Sequence, residues 1–488
     1  MQENTTRPFK RKIDALEKEL GVLQRHCRQL GIPVLIAFEG YRASGRGGMI
    51  NRLIQPLDPR GYKVSCVATA TVDEQMRPFL WRFWLHVPST ERMAIFDRSW
   101  YWKLLDESAS GKPNQKQLIR AYEDVTAFEQ QLNDSGIAIF KFFLDISAAE
   151  QAARCEKRRR NPITAWRADE GSAPPYDDYK KAAERMIEAT DLSDSPWKVV
   201  NADHLPSANA VVLDHLVTVL QKRVDDVAAN NGLARTPPLR DKLPAFSDAP
   251  NLQRIDLSMR LAGDAYRKLL LKRQQRIFEL HHEIHRLRIP VVIVYEGWDA
   301  SGKGGNIRRL TREMDPRGYE VIPVSAPSET EKAHHYLWRF WNQFPKAGHL
   351  TIFDRSWYGR VLVERIEGFC SETDWQRAYN EINIMEESFC QFGAVVVKFW
   401  MHIDQKEQLR RFTARKKDPF KRWKMTDEDF RNREKWTAYE QAINDMFLRT
   451  HTPHAPWSAI EGNCKRFARI KALDIVIDAI EKRIEQEQ

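Results

Sequence analysis

Residues 297–305 read GWDASGKGG, and residues 40–48 read GYRASGRGG. Each stretch follows an apolar run, VVIVYE in the later copy and VLIAFE in the earlier one. The later copy meets the pattern G-x-x-x-x-G-K up to its last position, where Gly304 stands in place of Ser or Thr. Gly297, Gly302, Gly304 and Gly305, with Ser301 between them, make a turn whose backbone N–H groups can face an anion, and the helix start that follows adds a favourable dipole. Lys303 supplies a point charge for bridging phosphate oxygens. The missing hydroxyl would ordinarily help to hold Mg²⁺, and Asp299 is a hard oxygen donor able to take over that duty. The bland reading of such a stretch is a tight strand-to-helix turn; strand, loop, lysine and helix together favour a phosphate site.

Two further clusters fit the same chemistry. In TIFDRSWYGR an apolar strand ends at Asp354, followed at once by Arg355. A carboxylate at the end of a strand beside a phosphate loop faces the metal, and an adjacent arginine can clamp phosphate oxygens or neutralise transition-state charge. A strand-end salt bridge is the competing reading. The run RRFTARKKDPFKRWK (410–424), matched by RCEKRRRNPITAWR (154–167), places cations on a helix that breaks at Pro419. It reads as a lid closing over phosphates or, more plainly, as a solvated basic face. In YLWRFW (336–341) the aromatics read as core. Trp436 and Tyr439 suit either a stacked base or the core. The pairs His281, His282 and His334, His335 lack metal-ligand spacing and read as surface.

These residues need strands and helices to hold them, and the chain provides them twice. DPRGY, WRFW and FDRSWY each occur twice at an offset of 257, and residues 33–63 match 290–320 at 18 of 31 positions. The division expected is a domain over 1–226, a linker over 227–250 rich in Pro, Ala, Asn and Asp, and a second domain over 251–488. Each half opens with a long polar helix (about 9–30 and 255–287) before its first strand. Further strands are expected at YEVIPVSAP, LTIFDRS, AVVVKFWMHI and WSAIEG. Strands alternating with helices imply an α/β fold, with a parallel sheet flanked by helices in each half.

Composition narrows the rest. The 488 residues are 42% hydrophobic and 30% charged, with net charge +10, a balance that attracts polyanions without choosing among them. No apolar run approaches membrane-spanning length, the first residues lack a secretory h-region, and six unpatterned cysteines fit reduced thiols in the cytoplasm. No recognition helix or stacking sheet motif supports a nucleic-acid-binding module.

G-x-D-x-x-G-K-G-G, the DPRGY turn, YLWRFW and FDRSWYGRVLVER together resemble the polyphosphate kinase 2 family, and the two-domain length resembles its tandem subclass, the polyphosphate:AMP phosphotransferases. The resemblance implies two tandem phosphate-loop kinase-like domains with helical lids, Mg²⁺ dependence, and transfer of a terminal phosphoryl group from inorganic polyphosphate to AMP. Carried over by position, it implies catalytic roles for Asp299, Lys303, Asp354 and Arg355, metal binding by Asp299 and Asp354, and phosphate contacts from the lid cations Arg411, Arg415, Lys416 and Lys417. The first half departs from the pattern: Arg42 and Arg46 replace the aspartate and the lysine. Arg42 puts a cation where a metal-directed carboxylate is needed, and Arg46 is no neutral exchange for lysine. The first half is therefore expected to be catalytically degenerate, kept to stabilise the fold, complete a homo-oligomer or hold polyanion. An ATP-dependent nucleoside monophosphate kinase is the nearest alternative, since it shares loop and lid.

Overall fold

Short β-branched and aromatic runs, apolar on both faces, can be buried only between two layers of helix. That is what forms. The structure, a computed structural model, describes residues 2–163, 165, 174–230, 243–419 and 433–487, with side chains from residue 9 onward. The first half contributes β1 (Val34–Gly40), β2 (Tyr62–Cys66), β3 (Met93–Asp97), β4 (Ala138–Asp145) and β5 (Trp197–Asn201). The second contributes β6 (Val291–Gly297), β7 (Tyr319–Pro323), β8 (Leu350–Asp354), β9 (Val395–His402) and β10 (Trp457–Glu461). Both sheets are parallel and have the same order, β2-β3-β1-β4-β5 and β7-β8-β6-β9-β10. The expected α/β architecture and all four further strands of the second half are present.

The glycine-loop strand lies at the centre of each sheet. In the second, Val291 sits opposite Leu350 and Val395, and Tyr295 opposite Asp354 and Phe399. Gly297 and Asp354 thus leave the sheet on adjacent strands at one edge, the carboxyl edge where ligands of open α/β sheets bind. The helices Gly263–Leu287 and Lys465–Glu485 pack together on one face, burying Ile284, Leu473 and Val476 with Ile293 of β6. The helix expected from 255 begins instead at Gly263. Asp256 accepts the amide of Ser258 at 2.9 Å and turns the chain before the helix can start. Two of the histidines read as surface are buried: His281 is 4% exposed and His335 7%. His281 Nδ1 accepts the amide of Asp315, fixing the DPRGY turn.

The basic helices are Ala148–Arg160 and Gln405–Lys417. Each ends on an extended residue, Asn161 or Asp418, because the proline that follows excludes helical backbone from the residue before it. The remainder of the expected second lid, Phe420 to Lys424, lies outside the described residues, as do residues 164 and 166–167 of the first and 231–242 of the expected linker.

The chain divides into two units: Met1–Ala70, Arg82–Pro237 and Ser328–Trp338 in one, Thr71–Trp81, Pro238–Pro327 and Arg339–Gln488 in the other. The short segments 71–81 and 328–338 are equivalents at the repeat offset of 257 and are exchanged.

Both units contain a buried ion pair that the pattern of apolar strands did not announce. Lys398 of β9 reaches Glu386 at 2.7 Å, and Lys141 of β4 reaches Glu129 at 2.8 Å, all four side chains fully buried. Glu386 also accepts from Trp357 Nε1 and Tyr358 OH, and Lys398 donates to the carbonyl of Thr450. The run after Asp354 is thereby bolted to β9. Removing one partner strands a buried charge. Lys398→Met should cost about 3–5 kcal/mol of stability, and adding Glu386→Gln should return part of it. Chemical denaturation of the three proteins measures both steps.

Candidate active site

The loop between β6 and the helix Lys303–Leu310 depends on glycine at two points. A β-carbon on Gly297 would stand 2.5 Å from the carbonyl oxygen of Met401, and Gly302 has φ 116°. Gly304, where related loops carry a hydroxyl, faces open space. Amides turned toward an anion leave the loop's carbonyls pointing the other way, and these need donors. Arg411 supplies them. Its Nη1 donates to the carbonyls of Ala300 at 2.9 Å and Ser301 at 2.7 Å, its Nη2 to Gly462 at 2.6 Å, and its Nε to Glu407 at 2.6 Å. Gln408 donates to the carbonyl of Asp299.

The expectation that Arg411 is a lid cation is therefore corrected: it is 4% exposed and sits behind the loop, with each guanidinium nitrogen committed to protein oxygens. Its one-turn-on companions differ. Arg415 is half-buried, and Lys416 and Lys417 are exposed on the last turn of the same helix.

Lys303 lies across the loop, its Nζ 2.7 Å from the carbonyl of Gly297 and 3.4 Å from that of Trp298. Asp299 accepts from Arg355 Nη2 at 3.2 Å. Arg355 has φ 67°, a left-handed backbone rare for arginine, and its amide donates to the carbonyl of Tyr295 on β6. Ser356 Oγ then donates to Glu296 at 2.8 Å. Glu296 thus ties the turn carrying Asp354 and Arg355 to the strand carrying the loop. Burial raises its carboxyl above the usual range. Among the described residues the Asp354 side chain forms no ion pair. Asp299, Lys303 and Arg355 are so gathered at one loop, and Asp354 ends the strand beside it.

Two carboxylates and an open-faced loop suit Mg²⁺, which takes one or two carboxylates and completes its shell with water and substrate phosphate. Among the described residues no cluster of three or more His, Cys, Asp or Glu could hold a metal alone.

Trp298, inside the loop, stacks on Trp436 at 3.6 Å with planes 8° apart, and Tyr439 is buried at its edge. In the first half Tyr41 stacks on Tyr176 at 4.8 Å. The aromatic pair joins the loop to the helix Trp436–Thr450 beyond the basic stretch, so this face of Trp436 is taken by protein.

The first-half loop keeps the frame. Gly40, Ala43 and Gly45 have φ 139°, 63° and 103°, against 145°, 62° and 116° for Gly297, Ala300 and Gly302. Arg154 repeats the part of Arg411, donating to the carbonyls of Ala43, Ser44, Ala202 and Asp203. The difference lies at the tip. Arg46 Nη1 donates to Gly40 and Tyr41 as Lys303 does to their equivalents, and its longer head also reaches Asp97 with Nε at 2.9 Å. The counterpart of Asp354 is thus neutralised by a side chain of its own loop.

Sequence reasoning missed Glu296, Glu407 and Glu386, and misplaced Arg411. For Glu296 the available signal was a carboxylate repeated at the same offset in an apolar run, Glu39 in VLIAFEG with Glu296 in VVIVYEG.

The polyphosphate kinase 2 family model matches residues 3–227 and again 260–488. The polyphosphate:AMP phosphotransferase of Pseudomonas syringae pv. tomato is 38% identical over 96% of this chain and 93% of its own. The protein of that name from Pseudomonas aeruginosa is 39% identical over 93% and 92%. A solved structure described as a polyphosphate kinase 2 from Pseudomonas aeruginosa PA01 superposes with a TM-score of 0.86 at 37% identity, covering 99% of this chain and 97% of that one. The chain belongs to the polyphosphate kinase 2 family.

The first-half equivalent of Glu296 gives a pH test. Burial pushes Glu39 from 4.5 up to about 7, against the pull of Arg46 and the hydrogen bonds from Ser99. Between those values the folded chain holds a proton that the unfolded chain has lost, so this group's contribution to stability falls as pH rises through the window. Glu39→Gln removes the titration and keeps an acceptor for Ser99. Relative to wild type, the variant should gain on the order of 2 kcal/mol between pH 5 and pH 8, read as a widening difference in Tm.

Proposed function

We propose that this member of the polyphosphate kinase 2 family transfers the terminal phosphoryl group of inorganic polyphosphate to AMP, yielding ADP, at the loop 297–305 of its second half. The observation that carries the substrate pair is likeness along nearly the whole length of both halves to proteins named for that reaction. The geometry fits. Lys303 and the loop amides bind the donor's terminal phosphates. Arg355 stands beside Asp299, placed to neutralise charge on the transferring group. Asp299 and Asp354 would hold Mg²⁺, which when bound offsets phosphate charge. An oxygen of the AMP phosphate attacks the terminal phosphorus in line, and the bond from that phosphorus to its bridging oxygen breaks; the shortened polyphosphate leaves with that oxygen. The attacking oxygen is already anionic near neutral pH, so positioning and charge neutralisation lower the barrier without a strong base.

The first half is silent in this reading. Arg42 replaces one metal carboxylate, and the Arg46–Asp97 pair occupies the other. A membrane role finds no support in the helices, none of which, among the described residues, is long and apolar enough to cross a bilayer.

An ATP-dependent nucleoside monophosphate kinase would share loop and lysine, and donor choice separates the two. Each phosphate beyond the reacting end of a long donor can find a further cation, such as Arg415, Lys416 or Lys417, whereas ATP offers only three phosphates. With AMP as acceptor, long polyphosphate should outcompete ATP. Its apparent KM should rise more steeply with ionic strength than that of AMP, by analogy with counterion release from nucleic acid. Lys416→Ala with Lys417→Ala should flatten that slope. Equal use of both donors with one salt dependence would restore the kinase alternative.

A further inference from the structure

The unit that carries Asp299 and Asp354 contains eleven residues, 71–81, from the half whose loop is degenerate. They are built to stay there. Thr71 caps the short helix Val72–Gln75 through a capping box with Glu74. The carbonyl of Met76 accepts the amide of Ala347 at 2.8 Å. Asp73 pairs with Lys346 at 3.3 Å. Trp81 is 9% exposed, lies under the Arg77 guanidinium at 4.2 Å, and donates Nε1 to the carbonyl of Trp341 at 2.9 Å. The partners outside the segment, Trp341, Lys346 and Ala347, all lie in the stretch 341–347, which runs directly into β8. Two residues further on, the carbonyl of His349 takes the amide of Val291 at the foot of the loop strand, and Leu350 begins the strand that ends at Asp354.

The equivalent segment of the second half, 328–338, is in the other unit. There the amide of Thr90 donates to the carbonyl of Ala333 at 2.8 Å, His335 lies against Trp84 with ring centres 5.3 Å apart, and Leu337 is fully buried.

We propose that residues 71–81 are a positioning element of the catalytic unit: they fix 341–347 and, through β8, the placement of Asp354 and Arg355. None of them touches the reacting groups. The proposal rests on placing the reaction at the second-half loop, and it gives the silent half a task that sequence alone assigns to the wrong half. Trp81, in the degenerate half, supports catalysis, while His335, in the catalytic half, supports the other unit.

The test is a crossed pair of substitutions in the full chain, with steady-state kinetics and hydrogen–deuterium exchange. Trp81→Ala should lower kcat about tenfold through misplacement of β8, leave both KM values within about threefold because the loop itself is intact, and speed exchange across 342–354. Trp81→Phe keeps the apolar contact and loses only the N–H, so it should fall between the two and remain folded. His335→Ala should leave kcat within about twofold and speed exchange near 84–92 instead. If Trp81→Phe and Trp81→Ala both leave kcat and the exchange of 342–354 unchanged, or if His335→Ala is the variant that loses kcat, the segment is not a positioning element. The exchange pattern is read without substrate, so it stands or falls independently of which reaction the site performs.

Discussion

A loop that turns its amides toward an anion must satisfy its carbonyls from behind, and one buried guanidinium does so. Arg411 joins the carbonyls of Ala300, Ser301 and Gly462 and is itself held by Glu407. It links the loop to the helix Gln405–Lys417 and to the end of β10, elements distant in sequence. A lysine could not replace it, because a single ammonium cannot span carbonyls on two separate turns with a fixed fork. The buried Lys398–Glu386 pair does the corresponding work for the neighbouring strand end, holding Trp357 and Tyr358 so that Arg355 can keep its left-handed backbone. Loop and strand end meet through Glu296 and Ser356.

Both halves retain this frame. Arg154, Glu129, Lys141 and Glu39 repeat its parts at equivalent places, and the backbone angles of the two loops agree closely. Within the loop the charged differences are two arginines in place of an aspartate and a lysine, and Tyr41 stands where the other copy has Trp298. One of the arginines, Arg46, reaches Asp97 across the loop. The first half thus keeps the frame of the loop, while its Asp354 counterpart is paired to an arginine of that loop. The exchange of 71–81 and 328–338 supplies a physical reason for such a copy to persist, since each unit is completed by a piece of the other half's sequence.

Much of this was legible in the sequence because it is local. Strand, glycine turn, lysine and helix follow one another along the chain, and the repeat offset of 257 aligns the equivalent residues of the two loops and the two FDRSWY runs. Asp354 and Arg355 were found because strand order places FDRS beside the loop in any fold of this kind. Arg411 was misread because exposure cannot be inferred from a run of cations: RRFTARKK gives no sign that its second arginine faces inward while Lys416 and Lys417 face out. Glu296 and Lys398 were passed over because charge in an apolar strand acquires meaning only once its partner is located, 60 residues away for Ser356 and 12 for Glu386. The segment exchange has no local signature, because equivalent segments of a repeat share a pattern that fits the same place in either unit.

Placing the reaction at the second-half loop makes two loops of one frame unequal in chemistry. The most direct measurement compares Lys303→Ala with Arg46→Ala in the full chain, by the rate of ADP formation from AMP and polyphosphate. Lys303 contacts the transferring group in this account, so its loss should lower kcat by about 10²-fold or more, while Arg46→Ala should leave the rate within a few-fold. Equal losses from the two substitutions would contradict the account, since both loops would then be taking part in the reaction.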